Sequence, residues 1–234
     1  MWSNTSARKT SRNVTPQFKI IRMSVPAKRL TCQQCLRAQS ACICHWIRTV
    51  EHEAEVLFLQ HPLEVANAKN SARLLHLSLP RSRLVVGEAY AEDELHRLLY
   101  GRADDANDGE APVPVLLYPD TSADLKIAVP PIWPQLSSAR NYRLVVLDAT
   151  WRKSRKILYL NPLLQQLPRL PLADPPASHY AIRKAHKPDQ LSSFEATCYA
   201  LMQLENASDK YLPLITAFDG FVAQQQAFAA RTQD

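Results

Sequence analysis

Short apolar runs alternate with segments of helical period along most of this chain, and that alternation limits the fold more than any other feature. The runs at 54–60 (AEVLFLQ), 84–87, 113–118 and 142–147 have the length of buried strands. Between and after them, 63–77, 92–100, 150–160, 192–206 and 212–231 read as helices. In the first helix Val65, Ala68, Ala72 and Leu75 carry the period, and Pro80 closes it. A fifth, short strand is expected at 179–183, and the proline-rich 167–177 reads as irregular. Strands joined through helices pair in parallel, so the expected class is α/β: a mostly parallel sheet with helices on both faces. Such sheets bind ligands beyond the carboxyl ends of their strands. Three of those ends carry unusual polar residues: Tyr118-Pro119-Asp120, Asp148-Ala149-Thr150-Trp151 and Arg183-Lys184.

Ahead of this pattern stands Cys32-x2-Cys35-x6-Cys42-x-Cys44. Secreted frameworks spread their cysteines, whereas a cluster this dense reads as a metal clip in a reducing compartment. Four soft thiolates in a closed set suit a structural zinc ion, with iron–sulfur ligation as the rival. Arg29, Arg37 and Arg48 flank the cluster and offset its negative charge; His45 is not needed as a ligand, and Cys198 reads as a core residue. The expected division is a basic arm at 1–28, a zinc knuckle at 29–49 and a catalytic domain at 50–234.

Charge is segregated along the chain. Residues 1–50 hold nine Lys/Arg and no acid, 51–139 hold seven basic and 14 acidic residues, and 140–190 hold ten basic and three acidic. A polyanion touching both basic segments gains charge neutralisation and counterion release; the bland reading is a basic tail and one solvated face. With only four glycines, neither G-x-G-x-x-G nor a Walker loop can be written. No apolar run approaches membrane-spanning length. The acid-free start at 1–22 faintly resembles a transit peptide but reads better as a dispensable tail, or as sequence ahead of a start at Met23.

The densest chemistry lies at 148–156. A strand delivers Asp148, Thr150 can cap the next helix, and Trp151 offers a stacking surface. Arg152, Lys153, Arg155 and Lys156 then crowd the first turns, where cations oppose the helix dipole. An anionic partner accounts for them; solvated side chains are the alternative. Ser192-x-x-Glu195 ahead of an apolar run is a capping box, so Glu195 has a structural reading of its own.

These residues complete a resemblance to the DTW-domain family of tRNA-uridine aminocarboxypropyltransferases, over about residues 29–205. The blocks are the knuckle Cys32–Cys44, His61-Pro62-Leu63-Glu64 with Lys69-Asn70-Ser71-Ala72, Leu117-Tyr118-Pro119-Asp120, Asp148-Ala149-Thr150-Trp151, Tyr180-Ala181-Ile182-Arg183-Lys184 and Ser192-Ser193-Phe194-Glu195-Ala196. Ser71 and Ser193 stand where threonine is expected, and both keep the hydroxyl. The resemblance implies a SPOUT-like fold with a C-terminal trefoil knot. It implies transfer of the 3-amino-3-carboxypropyl group of S-adenosylmethionine to N3 of a tRNA uridine, in the variable loop, leaving 5′-methylthioadenosine. On that reading Leu117, Tyr118, Pro119, Asp148, Thr150, Trp151, Ser193 and Glu195 form the donor pocket. Asp148 is the catalytic candidate, as base or orienter, with a strand-end cap as the structural alternative. Arg152, Lys153, Arg155, Lys156, Arg183 and Lys184 are the expected tRNA surface.

Two other functions compete: a methyltransferase with the same fold and donor, and a non-catalytic zinc-knuckle RNA-binding module. The expected setting is cytoplasmic, with tRNA as partner, no membrane, no obligate protein partner and the oligomeric state open.

Overall fold

A computed structural model describes residues 30–102, 111–119, 127–134, 136, 138–173, 175–178 and 191–231. Among the described residues, five strands form one parallel sheet: β1 (Glu55–Gln60), β2 (Ser82–Val86), β3 (Val113–Leu117), β4 (Tyr142–Asp148) and β5 (Arg169–Leu170), in the order β2-β1-β4-β3-β5. The helices are α1 (Pro62–Val65), α2 (Ala72–Ser78), α3 (Glu92–Tyr100), α4 (Trp151–Leu160), α5 (Pro162–Gln165), α6 (Ser193–Glu205) and α7 (Ser208–Arg231).

Each face of the sheet has its own core. Val56, Phe58, Leu144 and Val146 point to a layer built from α2, α6, α7 and the cysteine knuckle. Leu57, Leu59, Val145 and Leu147 point the other way, to α3, α4 and α5. The period-two alternation of a strand produces this division, and burial on both sides explains why β1 and β4 read as unbroken apolar runs. Arg143 is the exception in β4 and is buried. Its guanidinium donates to Leu98 O, Leu99 O and Gly101 O, and pairs with Glu55. It thereby caps the carboxyl end of α3, where cations are favoured.

Three expectations need correction. The helix expected at 63–77 is two, α1 and α2, separated by a loop at 66–71 in which Lys69 N donates to Asn67 Oδ1 and Ala72 N to Asn70 Oδ1. Local side-chain bonds of this kind compete with helix continuation. The fifth strand includes Arg169–Leu170, inside the stretch read as irregular. The last helix starts at Ser208, because Asn206 (φ 47°) turns the chain sharply after α6. The strand expected at 179–183 and the basic arm lie outside the described residues, as does part of the path from β5 to α6 that decides the knot. No helix among the described residues is long and apolar enough to cross a membrane.

The topology singles out one place. From β1 the chain crosses to β2 through α2 on one face; from β4 it crosses to β5 through α4 on the other. The carboxyl ends of β1 and β4 are adjacent, with Gln60 opposite Asp148. Their connections diverge there, which leaves a crevice at the switch point.

Candidate active site and thiolate knuckle

Asp148 ends β4 and is buried, on the α6 side of the sheet. Its Oδ2 accepts from Gln60 Nε2 at 2.9 Å and from Asn70 Nδ2 at 2.6 Å. The orientation of Asn70 is forced: the Ala72 N–H can only donate, so Oδ1 faces it at 3.1 Å and the amide nitrogen faces the carboxylate. Among the described residues Asp148 Oδ1 makes no hydrogen bond. The carboxylate is therefore not a helix cap. Two side-chain amides hold one oxygen, and the other has no hydrogen bond among the described residues. Thr150 occupies the N-cap position of α4, but its side chain makes no capping bond, contrary to expectation.

A groove of about 1140 Å³ opens at this end of the sheet. It is lined by His61, Pro62 and Leu63 after β1, by Thr150, Arg152, Lys153, Arg155, Lys156 and Tyr159 of α4 and its N-cap, and by Glu88 and Ile127. All four cations of α4 thus share one cavity, but they are not equivalent. Lys153 Nζ lies 3.3 Å from the buried Glu64 carboxylate, and Lys156 Nζ lies 2.8 Å from Glu88. Glu88 also accepts from His61 Nε2 at 2.9 Å. His61 Nδ1 accepts the Leu63 N–H, which puts the ring proton of the neutral form on Nε2. Lys156 first, and His61 second, hold the Glu88 carboxyl below the usual glutamate range. Arg183 and Lys184 lie outside the described residues.

The remaining expected donor residues divide. Tyr118, just past β3, is buried, and its ring meets the edge of Trp151 at 5.9 Å and 68°. The Arg169 guanidinium lies 5.9 Å from the centre of the same ring. Trp151 is 48% exposed, so much of its indole remains available for stacking. Leu117 is half-buried and Pro119 exposed. Ser193 opens α6. Glu195 is fully buried and closes the capping box with Ser192, while also accepting from Ser178 Oγ at 2.8 Å. The cap reading of Glu195 therefore holds. Sequence reasoning missed Gln60 and Glu88. Gln60 ends an apolar run with an amide, a weak signal; for Glu88 there was none.

The cysteine cluster closes as its spacing suggests. All four Sγ atoms lie within 4.8 Å of one another, with Cys32–Cys44 at 3.6 Å and Cys35–Cys42 at 3.8 Å. A tetrahedral ion with bonds of about 2.3 Å sets its sulfurs about 3.8 Å apart, so the group could hold a metal ion. The backbone N–H groups of Cys35 and Gln34 draw Cys32 down to about 6, while burial and the neighbouring thiols push Cys44 up. Thiols this crowded ionise together only around a cation. The knuckle docks on α7 through Trp46 Nε1 to Gln224 Oε1 (2.7 Å) and Gln224 Nε2 to Cys42 O (3.1 Å).

An open parallel sheet with helices on both faces and a groove at its switch point defines an α/β protein with the arrangement in which such sheets place their ligands. The chain belongs to the DTW domain family, whose model matches residues 29–226. Relatives carry the name tRNA-uridine aminocarboxypropyltransferase 2. The Drosophila melanogaster protein is 28% identical over 188 residues, 77% of this chain and 69% of its own length. The Mus musculus protein is 26% identical over 185 residues, 76% of this chain and 57% of its own length. The Macaca fascicularis protein is 26% identical over 188 residues, with 77% and 58% covered. The chain thus spans less than two thirds of the two mammalian relatives. No solved structure matches.

Proposed function

We propose that this chain is a transferase that moves the 3-amino-3-carboxypropyl group of S-adenosylmethionine to N3 of a uridine in tRNA. The observation that carries the reading is the cationic groove lined by His61, Thr150 and the α4 cations, at the ends of β1 and β4 where Asp148 closes its strand, in a family whose named relatives are tRNA-uridine aminocarboxypropyltransferases. Uracil N3 loses its proton and attacks the γ-carbon of the aminocarboxypropyl group; the carbon–sulfur bond breaks, and its electron pair turns the sulfonium into the thioether 5′-methylthioadenosine. The reaction is mainly one of alignment, since the sulfonium already activates the carbon. Asp148 Oδ1 is the oxygen for the proton or for orienting the uracil, because Oδ2 is held by amides. Tyr118 and Trp151 supply stacking area, with Leu117, Pro119, Thr150, Ser193 and Glu195 completing the donor pocket. Arg152, Lys153, Arg155 and Lys156, with Arg183 and Lys184, meet the tRNA backbone. Zinc, the ion for a four-thiolate set, is held by Cys32, Cys35, Cys42 and Cys44 in a structural role. The reading includes a SPOUT-like trefoil knot, a variable-loop uridine and a cytoplasmic setting.

The test is to incubate the protein with unmodified tRNA and S-adenosylmethionine, then measure methylthioadenosine and the mass of the modified nucleoside. Methylthioadenosine with a matching aminocarboxypropyl mass increment is expected. A methyl increment would make the chain a methyltransferase, and tRNA binding without product would make it a binding module.

A further inference from the structure

We infer that Arg37 is a positioning residue that couples the thiolate knuckle to Asp148; the inference rests on Asp148 belonging to the active site. The backbone of Arg37 is fixed by the knuckle itself. Cys32 N donates to Arg37 O at 2.8 Å, and Leu36 N to Cys32 O at 3.0 Å. Leu36 adopts φ 60°, the left-handed turn that brings the chain back past the cysteines. From there the guanidinium leaves the knuckle and clamps the loop between α1 and α2. Nη1 donates to Ala68 O at 2.6 Å and Nη2 to Asn70 O at 2.5 Å. The Phe221 ring of α7 lies under the guanidinium, 5.3 Å away. Arg73 Nη2 returns to Gln34 O at 3.0 Å and forms a second strut between loop and knuckle.

Asn70 is where this clamp meets the chemistry. Its carbonyl is held by Arg37 and its side chain holds Asp148 Oδ2 at 2.6 Å. A shift of the 66–71 loop therefore moves the amide that orients the carboxylate. A planar fork suits two neighbouring carbonyls, and an ammonium cannot bridge them in the same fixed geometry. The thiolate cluster thus reaches Asp148 in three links: the cysteines set Arg37, Arg37 sets Asn70, and Asn70 sets Asp148. Misplacement of reacting groups by about 1 Å can cost roughly 100-fold in rate without loss of the fold.

The test compares Arg37→Ala, Arg37→Lys, Asn70→Ala and the double variant R37A/N70A in the full chain. Metal content by elemental analysis, kcat and donor KM are measured for each, and the Asn70 side-chain amide resonance is followed by NMR in the wild type and the two Arg37 variants. R37A is expected to keep its metal, shift the Asn70 amide and lose about 10- to 100-fold in kcat, with KM changing less. The double variant is expected to be no slower than N70A, because the two residues act in series. An unshifted amide in metal-loaded R37A, or penalties that multiply in the double variant, overturns the coupling. If R37A loses its metal, R37K decides by the same amide measurement. Should the wild type transfer no aminocarboxypropyl group, the functional reading falls, and the amide shift still decides whether Arg37 sets Asn70.

Discussion

At the scale of single residues, Asp148 is a buried carboxylate held through one of its two oxygens. Gln60 and Asn70 take one oxygen and nothing among the described residues takes the other. Asp148→Asn can keep both contacts by turning its carbonyl toward the two amides. Its unfolding free energy should stay within about 1 kcal/mol of wild type, while turnover is lost. Asp148→Ala strands two buried N–H donors, at about 1–3 kcal/mol for each. Urea denaturation of both variants, run beside the transfer assay, separates the roles. Near-normal turnover by the Asn form would end the catalytic assignment. A second residue-scale case is His52, buried with Nδ1 on Ala54 O at 2.7 Å and Nε2 accepting from Arg81 N at 3.1 Å. The neutral ring satisfies both partners, and burial lowers its pKa. Below about 6.5 the unfolded chain takes up a proton that the folded ring resists, so stability falls as pH falls through that range. His52→Gln should remove up to one proton from that slope, about 1.4 kcal/mol per pH unit. Melting curves between pH 7.5 and about 5 read this directly, and an unchanged slope would mean that His52 does not titrate on unfolding.

Among elements, the docking of the knuckle on α7 is a close contact. A Cβ on Gly220 would sit 2.2 Å from the Trp46 ring, so the helix can approach the indole only through glycine. Gly220→Ala should cost about 1–3 kcal/mol despite its better helix propensity, and should alter Trp fluorescence as the indole is displaced. A stabilised variant would show that the knuckle yields freely. The elements themselves were legible where local pattern and tertiary demand agree. β4 reads as a strand because both its faces are buried, and the knuckle reads as a metal clip because its ligands lie close in sequence. β5 was hidden because two residues among prolines carry no period; β3 pairing at Leu116↔Arg169 makes it a strand. The helix at 63–77 was read too long because its apolar spacing survives the loop at 66–71, whose bends come from Asn67 and Asn70. Asp148 stood out as a strand-end acid, yet its partners lie 88 and 78 residues away. No spacing rule spans such distances; only the sheet order brings Gln60 opposite Asp148.

Over the whole molecule, segregated charge becomes a groove whose cations have unequal duties. Arg152 lines it exposed, whereas Lys153 lies against Glu64, a carboxylate only 1% exposed. A cation facing solvent contributes to a polyanion's binding by releasing a counterion and contributes little to the fold. One that neutralises a buried carboxylate does both. Arg152→Gln should therefore weaken tRNA binding and flatten its salt dependence by about one ion, with the melting temperature unchanged. Lys153→Gln should weaken binding and also destabilise the protein. The loss should stay below the roughly 3–5 kcal/mol of a fully buried pair, because Lys153 is 28% exposed and Asn67 still donates to Glu64. Titrations of tRNA at several salt concentrations, paired with melting curves, distinguish the two. If Arg152→Gln leaves affinity and salt slope untouched, the groove is a solvated face and the polyanion binds elsewhere. If Lys153→Gln melts with wild type while binding weakens, Glu64 has its charge met without Lys153, and the lysine serves the ligand alone.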